Sequence, residues 1–312
     1  MPKKRVRRQT VTQQIMGTVT EKLQKYQHDK TRKQYMRQVK KYVKFCREKF
    51  DSKTFSDCEK HVQEYSDFLQ SERYTASTVH TYLAAVCAVF GVDLSAVKKP
   101  VRHVADYVRG RNARRDIENE KWAYIVEFQR RVGIRREELK HLRGKDFAAD
   151  ESGFPCVVVR RGKGGKLQYQ RISGNDVEFI KAYFEAVPPE ERIFEGKYFE
   201  NDLNFHALRA ECAKKYYFEQ EKRMKENPEY RKKLEREIRK RWETMNLTRK
   251  GKPKKFKESE IAGTYFLRGK NRELALKRGL PLSYDKTALL ATSIFKLSHW
   301  RNDVTVASYI LA

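Results

Sequence analysis

Nowhere in the 312 residues does an apolar run approach the roughly 18 that a membrane-crossing helix requires. No apolar stretch follows the first residues either, so a secretory leader is not expected and the membrane is not a predicted partner. Cysteine is sparse: Cys46, Cys58, Cys87, Cys156 and Cys212 are odd in number, scattered, and never in a CxxC pair. That usage excludes a disulfide frame and a zinc ribbon, and predicts buried thiols in a reducing compartment. A Walker-type phosphate loop and metal-ligand spacing are both missing, so no cofactor is expected. No repeat period is present. Above all the chain lacks negative charge: 41 Asp and Glu stand against 69 Lys and Arg, a formal net charge of +28. Such an excess cannot be paired internally. It points to a polyanionic partner, DNA or RNA ahead of an anionic membrane surface.

What is present reads as a mainly α chain of two domains. Lys3, Lys4, Arg5, Arg7 and Arg8 make residues 1–14 a basic arm lying on phosphates, with a nuclear import signal as the alternative. Apolar residues then recur at helical spacing: Tyr35, Val39, Tyr42, Val43 and Cys46; Cys58, Val62, Tyr65 and Leu69; Tyr82, Val86, Val89 and Phe90. Thr75 or Ser77 offers an N-cap to the third set. Residues 15–108 are therefore read as a small helical domain, and the polar stretch 109–118 as a linker.

The second domain, 119–312, is mixed α/β but mostly helical. A helix bearing Trp122, Ile125, Val126 and Val132 is interrupted by Gly133, and a new one carries Arg135, Glu138, Leu139 and Leu142. Segments 156–159 and 167–172 flank the glycine-rich turn 162–165 and predict a β-hairpin. Helices follow over 177–184, behind an Asp176 cap, and from His206. Around 215–285 lies a charged insertion whose densest part, 215–258, holds 17 Lys or Arg and 8 Asp or Glu. Either it is a solvated helical excursion held by i,i+4 charge pairs, or it is an additional DNA-contacting element. A helix through Leu290, Ile294 and Leu297 resumes after it. Asn302 or Asp303 can cap a last helix that ends with Tyr309.

The order Arg135, Lys163, His206, Arg209, His299, Tyr309 supplies chemistry for attack on a phosphodiester without a metal. Two guanidinium forks can grip an oxyanion, a lysine and histidines can move protons, and a phenol can become the covalent link. A free phenol has a pKa near 10, so only about one in a thousand is ionised at neutral pH; in-line positioning offsets much of that deficit.

Gly133-Ile134-Arg135-Arg136-Glu137-Glu138-Leu139 resembles the first signature box of the tyrosine recombinases, the phage-integrase family. Gly162-Lys163-Gly164 falls in a hairpin where the family keeps its lysine. His206-Ala207-Leu208-Arg209 is similar to its His-x-x-Arg box, and Leu297-Ser298-His299 to its Leu-Gly-His, with Tyr309 in the nucleophile's place. The resemblance spans the second domain except the insertion. It implies a SAM-like core-binding domain followed by a catalytic domain of the DNA breaking-rejoining type. The implied activity is that of a site-specific DNA recombinase (integrase) serving a mobile element or replicon. It would work through a 3′-phosphotyrosyl intermediate and a Holliday junction.

By the same resemblance, Arg135 and Arg209 hold the phosphate and Lys163 protonates the departing 5′-oxygen, with Lys166 as a competing lysine and DNA contact. His206 takes the tyrosine proton, His299 hydrogen-bonds the phosphate, and Glu138 orients the site. Partners implied are double-stranded DNA and further copies of the chain, a dimer on a site and a tetramer in synapsis, with an accessory directionality factor as an option. The implied setting is the cytoplasm, nucleoid-associated, or the nucleus of a eukaryotic cell.

The chain departs from the family pattern in several places. His299 lies ten residues before Tyr309 and Trp300 nine, so either can fill the third-box slot, with His299 preferred. Ser298 replaces a glycine and Ala210 a second histidine. With three residues after Tyr309, helix exchange between protomers by the family's route is not expected. Two other functions stand beside the first: a type IB topoisomerase-like enzyme, and a DNA-binding protein with a decayed site.

Overall fold

The computed structural model describes residues 10–26, 29–103, 119–163, 165–201, 203–248 and 251–311. It is mainly helical with small antiparallel sheets, and the chain divides into two compact units, Met1–His103 and Val104–Ala312.

The described part of the first unit is all helical: α1 (Val11–Leu23), α2 (Asp29–Phe50), α3 (Phe55–Glu59), α4 (Val62–Ser71) and α5 (Ala76–Phe90). Thr10, Thr54 and Thr75 start α1, α3 and α5 by accepting a backbone N–H three residues on, so Thr75 and not Ser77 is the cap. Val39, Tyr42, Val43 and Cys46 share one face of α2. They bury against Cys58, Val62, Tyr65 and Leu69 and against Val79, Leu83, Val86 and Phe90 of α5. Full burial of each large apolar side chain stabilises by about 1.5–3 kcal/mol, which is what holds these short helices together.

In the second unit α6 (Ala123–Val132) leads into α7 (Arg136–Leu139), then β1 (Phe147–Ala149), β2 (Pro155–Val159), β3 (Gln168–Arg171) and α8 (Val177–Glu185). Two long helices follow, α9 (Phe205–Glu226) and α10 (Pro228–Met245). After them come α11 (Glu258–Ile261), β4 (Thr264–Phe266), α12 (Gly269–Lys277), β5 (Ser283–Asp285) and α13 (Lys286–Thr292). The chain closes with a π-helical turn Ser293–Leu297, α14 (Asn302–Thr305) and a second π-helical turn Val306–Ile310.

Several local expectations are corrected. The hairpin is the outer part of a three-stranded sheet, with Val159 opposite Gln168 and Phe147 opposite Val157. β1, three residues long and largely exposed, leaves no alternation to read. α7 is a single turn; Arg135 precedes it in extended conformation and Leu142 lies beyond its end. Asp176 precedes α8 but does not cap it, because Arg131 and Lys215 take its carboxylate. Neither Asn302 nor Asp303 caps α14. Asn302 donates to the Glu260 carbonyl and Asp303 pairs with Arg301.

The charged segment is more than a solvated excursion. Exposed pairs such as Lys225–Glu221 are there, but Tyr216, Tyr217, Met224, Leu234, Ile238 and Trp242 bury into one core with Leu289, Leu290, Ile294 and Phe295. A buried ion cluster ties α10 to the sheet: Arg171 donates to Asp150 at 2.7 Å and to Glu237 at 2.6 Å, and Arg241 also reaches Asp150. All five cysteines are free and buried, and burial pushes the Cys156 thiol up to about 12.

Candidate active site

An open cavity of about 720 Å³ in the second unit is lined by Arg135, Lys163, Lys166, His206, Arg209, His299, Trp300 and Tyr309, among others. These residues come from segments spread over more than half the chain, so each needs its own positioning device.

Arg135 is aimed by the chain reversal before it. Gly133 ends α6 with φ +71°, and a Cβ there would lie 2.9 Å from Cys212 Sγ, so the position demands glycine on two counts. Glu138 then holds Arg135 at both ends, accepting from its backbone N–H at 2.9 Å and from its guanidinium at 2.7 Å. The same carboxylate accepts from the Lys163 backbone N–H and from Gln168, both at 3.3 Å. Glu138 thus ties the arginine turn to the hairpin. Burial would raise its pKa, but the Arg135 guanidinium and amide and the Arg209 charge outweigh that and hold the carboxyl below its ordinary range.

Lys163 lies within the β2–β3 turn and Lys166 just after it, where Gly162 N–H donates to the Lys166 carbonyl at 2.8 Å. Gly162 sits so close to Gln168 that any Cβ would overlap its amide, 1.5 Å from Nε2. Both lysines are exposed and both face the cavity, so the geometry admits either as a proton donor.

Asn204 caps α9, and His206 and Arg209 lie on its first turns. Arg209 is 1% exposed. Its guanidinium donates to the Gly133 carbonyl and, at 2.7 Å, to the Leu297 carbonyl, while Nε has no partner. Burial lowers its pKa, with the nearby Tyr309 opposing. Two of its donors therefore serve the fold, and only the remaining N–H groups can meet a ligand.

Ser298 takes the left-handed conformation, φ +50°, that a glycine would adopt without strain, and Gln170 Nε2 holds its hydroxyl at 3.0 Å. His299 follows with Nδ1 3.1 Å from Ser293 Oγ, an oxygen that also accepts from Arg301 N–H at 2.7 Å. Either ring tautomer satisfies this contact, because the serine oxygen can accept twice, and Nε2 is buried and unpartnered. Burial, then Arg209 and Arg135, push the His299 pKa down to about 3. The imidazole is neutral, and its Nε2 is the nitrogen left for a ligand. Trp300, φ +62°, turns instead to Trp242, ring edge to face at 5.8 Å.

Tyr309 lies on the final π-helical turn, packed on Ala210, Ala213 and Leu297. Its ring centroid is 5.2 Å from that of His206, 5.6 Å from that of His299 and 5.7 Å from Arg209 Cζ. Tyr284, the nearest tyrosine upstream, is buried on β5 against Tyr217. Lys3, Lys4, Arg5, Arg7 and Arg8 lie outside the described residues.

Trp242, Asn246, Lys254 and Lys255 of the charged segment also line the cavity and were not singled out from sequence. The one signal for them was the four-residue spacing Leu234, Ile238, Trp242, an apolar stripe in a charged helix. Among the described residues no group of three His, Cys, Asp or Glu could hold a metal ion, and no helix is long and apolar enough to cross a membrane.

No protein-family model matches the chain, and no curated protein does. Among solved structures it is similar to a XerA recombinase, 21% identical over 64% of this chain and 83% of that one, with a TM-score of 0.24. A likeness that slight carries no argument about what the chain does.

Proposed function

We propose that this chain is a site-specific DNA recombinase of the tyrosine type. What carries the reading is one convergence: Tyr309 shares a cavity with Arg135, Lys163, His206, Arg209 and His299, with its ring beside an arginine and two histidines. Tyr309 Oη attacks a backbone phosphorus as the P–O5′ bond breaks, leaving a 3′-phosphotyrosyl ester and a 5′-hydroxyl. His206 accepts the phenol proton, and Lys163, or Lys166 in its place, gives one to the departing oxygen. Arg135, the remaining N–H groups of Arg209 and His299, in the tautomer with its proton on Nε2, oppose the charge that builds on the non-bridging oxygens; losing such a donor costs roughly 10²–10³ in rate. The ester stores the bond energy, so a 5′-hydroxyl from another strand can reverse the step.

On this reading the helical unit is the core-binding domain and the second unit the breaking-rejoining domain. Duplex DNA and further copies of the chain are the partners, and the setting is the cytoplasm or a nucleus. A second reading is favoured by one observation. With two Arg209 donors given to backbone carbonyls, the chain could be a DNA-binding protein whose site no longer turns over.

Incubation with a nicked duplex enriched by binding from a random-sequence pool separates the two. The recombinase forms an SDS-stable adduct without Mg²⁺ or ATP, and Tyr309→Phe abolishes it while binding survives. Absence of adduct from the wild type, with binding intact, favours the second reading; an adduct that persists in Tyr309→Phe moves the nucleophile elsewhere.

A further inference from the structure

The charged segment gives the Tyr309 cavity a wall, and that wall is fixed in place. Trp242 Nε1 donates to the Lys254 carbonyl at 2.8 Å, and Lys254 N–H donates to the Asn246 carbonyl at 2.9 Å. Leu247 and Pro253 form an antiparallel bridge. Trp242 is braced edge to face by Phe256 at 5.2 Å and by Trp300 at 5.8 Å. The helix beneath is anchored through Arg241 and Asp150, whose side chains are 2% and 0% exposed. Backbone held this firmly presents the side chains of Lys254 and Lys255 to the cavity.

Charge says what they meet there. Seven Lys or Arg line the cavity (Arg135, Lys163, Lys166, Arg209, Lys254, Lys255, Arg301) and no Asp or Glu does. Lys222, Lys225, Lys232 and Arg239 of the segment are paired with carboxylates; Lys254 and Lys255, like Lys233 and Lys240, are exposed without a carboxylate partner among the described residues, and what sets them apart is that they line the cavity. Of the seven, Arg135 and Arg301 are paired with Glu138 and Asp303, and the other five still outnumber the one negative charge of a single phosphodiester. Asn246, 2% exposed and also lining the cavity, has an unpartnered Oδ1, a cost of about 1–3 kcal/mol that a water donating to it, and on its other side to a phosphate, can relieve.

We propose that Lys254 and Lys255 form a second phosphate clamp, gripping a DNA backbone phosphate next to the one that Tyr309 attacks and so holding the strand in line. Trp242 is the positioning residue of the clamp. The proposal rests on the reading of Tyr309 as nucleophile, but the lysines can be tested apart from it.

The test compares full-length wild type, Lys254→Ala/Lys255→Ala, and Lys222→Ala/Lys225→Ala as a charge-matched control, on the enriched nicked duplex. Exposed side chains are removed in both, and equal melting temperatures verify the fold. At saturating DNA the clamp variant forms adduct roughly 10- to 100-fold more slowly. The slope of log affinity against log salt falls by about 0.9, the share of the one phosphate the clamp holds. The control changes neither. A neutral methylphosphonate, placed in turn at each phosphate beside the cleavage point, slows the wild type at one position and slows the clamp variant no further there. If both double variants match the wild type in rate and slope, the clamp is overturned although the adduct still upholds Tyr309. If the wild type forms no adduct, the nucleophile reading fails, and an unchanged salt slope then overturns the lysine contacts as well, while a reduced one sustains them.

Discussion

The Tyr309 ring stacks on the His299 imidazole, centroids 5.6 Å apart and planes 24° apart. The stack places the phenol against a ring that burial and two arginines keep neutral. On the proposed mechanism His299 therefore contributes a hydrogen bond and not a charge. In that mechanism the proton leaving Tyr309 goes to His206, whose ring lies 5.2 Å from the phenol ring, centroid to centroid.

That neutrality makes stability depend on pH. The His299 pKa is about 3 in the folded chain against 6.5 ordinarily, so between those values the unfolded chain binds the extra proton. The contribution is whole above pH 6.5 and is lost as pH falls toward 3, by at most about 1.4 kcal/mol per pH unit. Thermal melts of wild type and His299→Gln should converge with acidification over that window. Parallel curves would show that the imidazole is protonated in the fold.

Gly133 sets the direction of Arg135, and its positive φ and its contact with Cys212 both resist a side chain. Gly133→Ala should destabilise by about 2–4 kcal/mol. Adding Cys212→Ala should recover the part of the steric share due to Sγ, leaving the Cys212 Cβ contact at 3.0 Å and the dihedral strain. Denaturant midpoints of the two single variants and the double variant give the coupling; strict additivity would mean the thiol is not the obstacle.

Asp150 is the shared acceptor of Arg171 and Arg241. Burial would raise its pKa, yet Arg171 foremost holds it below the ordinary value. Its contribution is whole above the usual carboxylate range and is lost as pH falls from there through the lowered folded value. Asp150→Asn leaves two buried guanidinium groups short of charge and should cost about 3–5 kcal/mol. Limited proteolysis should open at α10 before the rest of the second unit. An unchanged unfolding midpoint would remove the anchor on which the wall of the cavity depends.

Sequence alone carried the helical character of the first unit, since i,i+4 burial in α2 and α5 is written in local spacing. It also marked Arg135, Lys163, His206, Arg209, His299 and Tyr309 as a set, because phosphoryl chemistry needs those side chains and their order is visible without coordinates. Tertiary structure alone decided that Arg209 lies under Tyr309 with donors bound to carbonyls, and that Trp242 meets Trp300 and brings Lys254 and Lys255 to the cavity. The difference is physical. A helical repeat is enforced by neighbours one turn away, whereas the pairing of Trp242 with Trp300 depends on α10 packing against α13 and on a buried carboxylate shared by residues far apart in the chain.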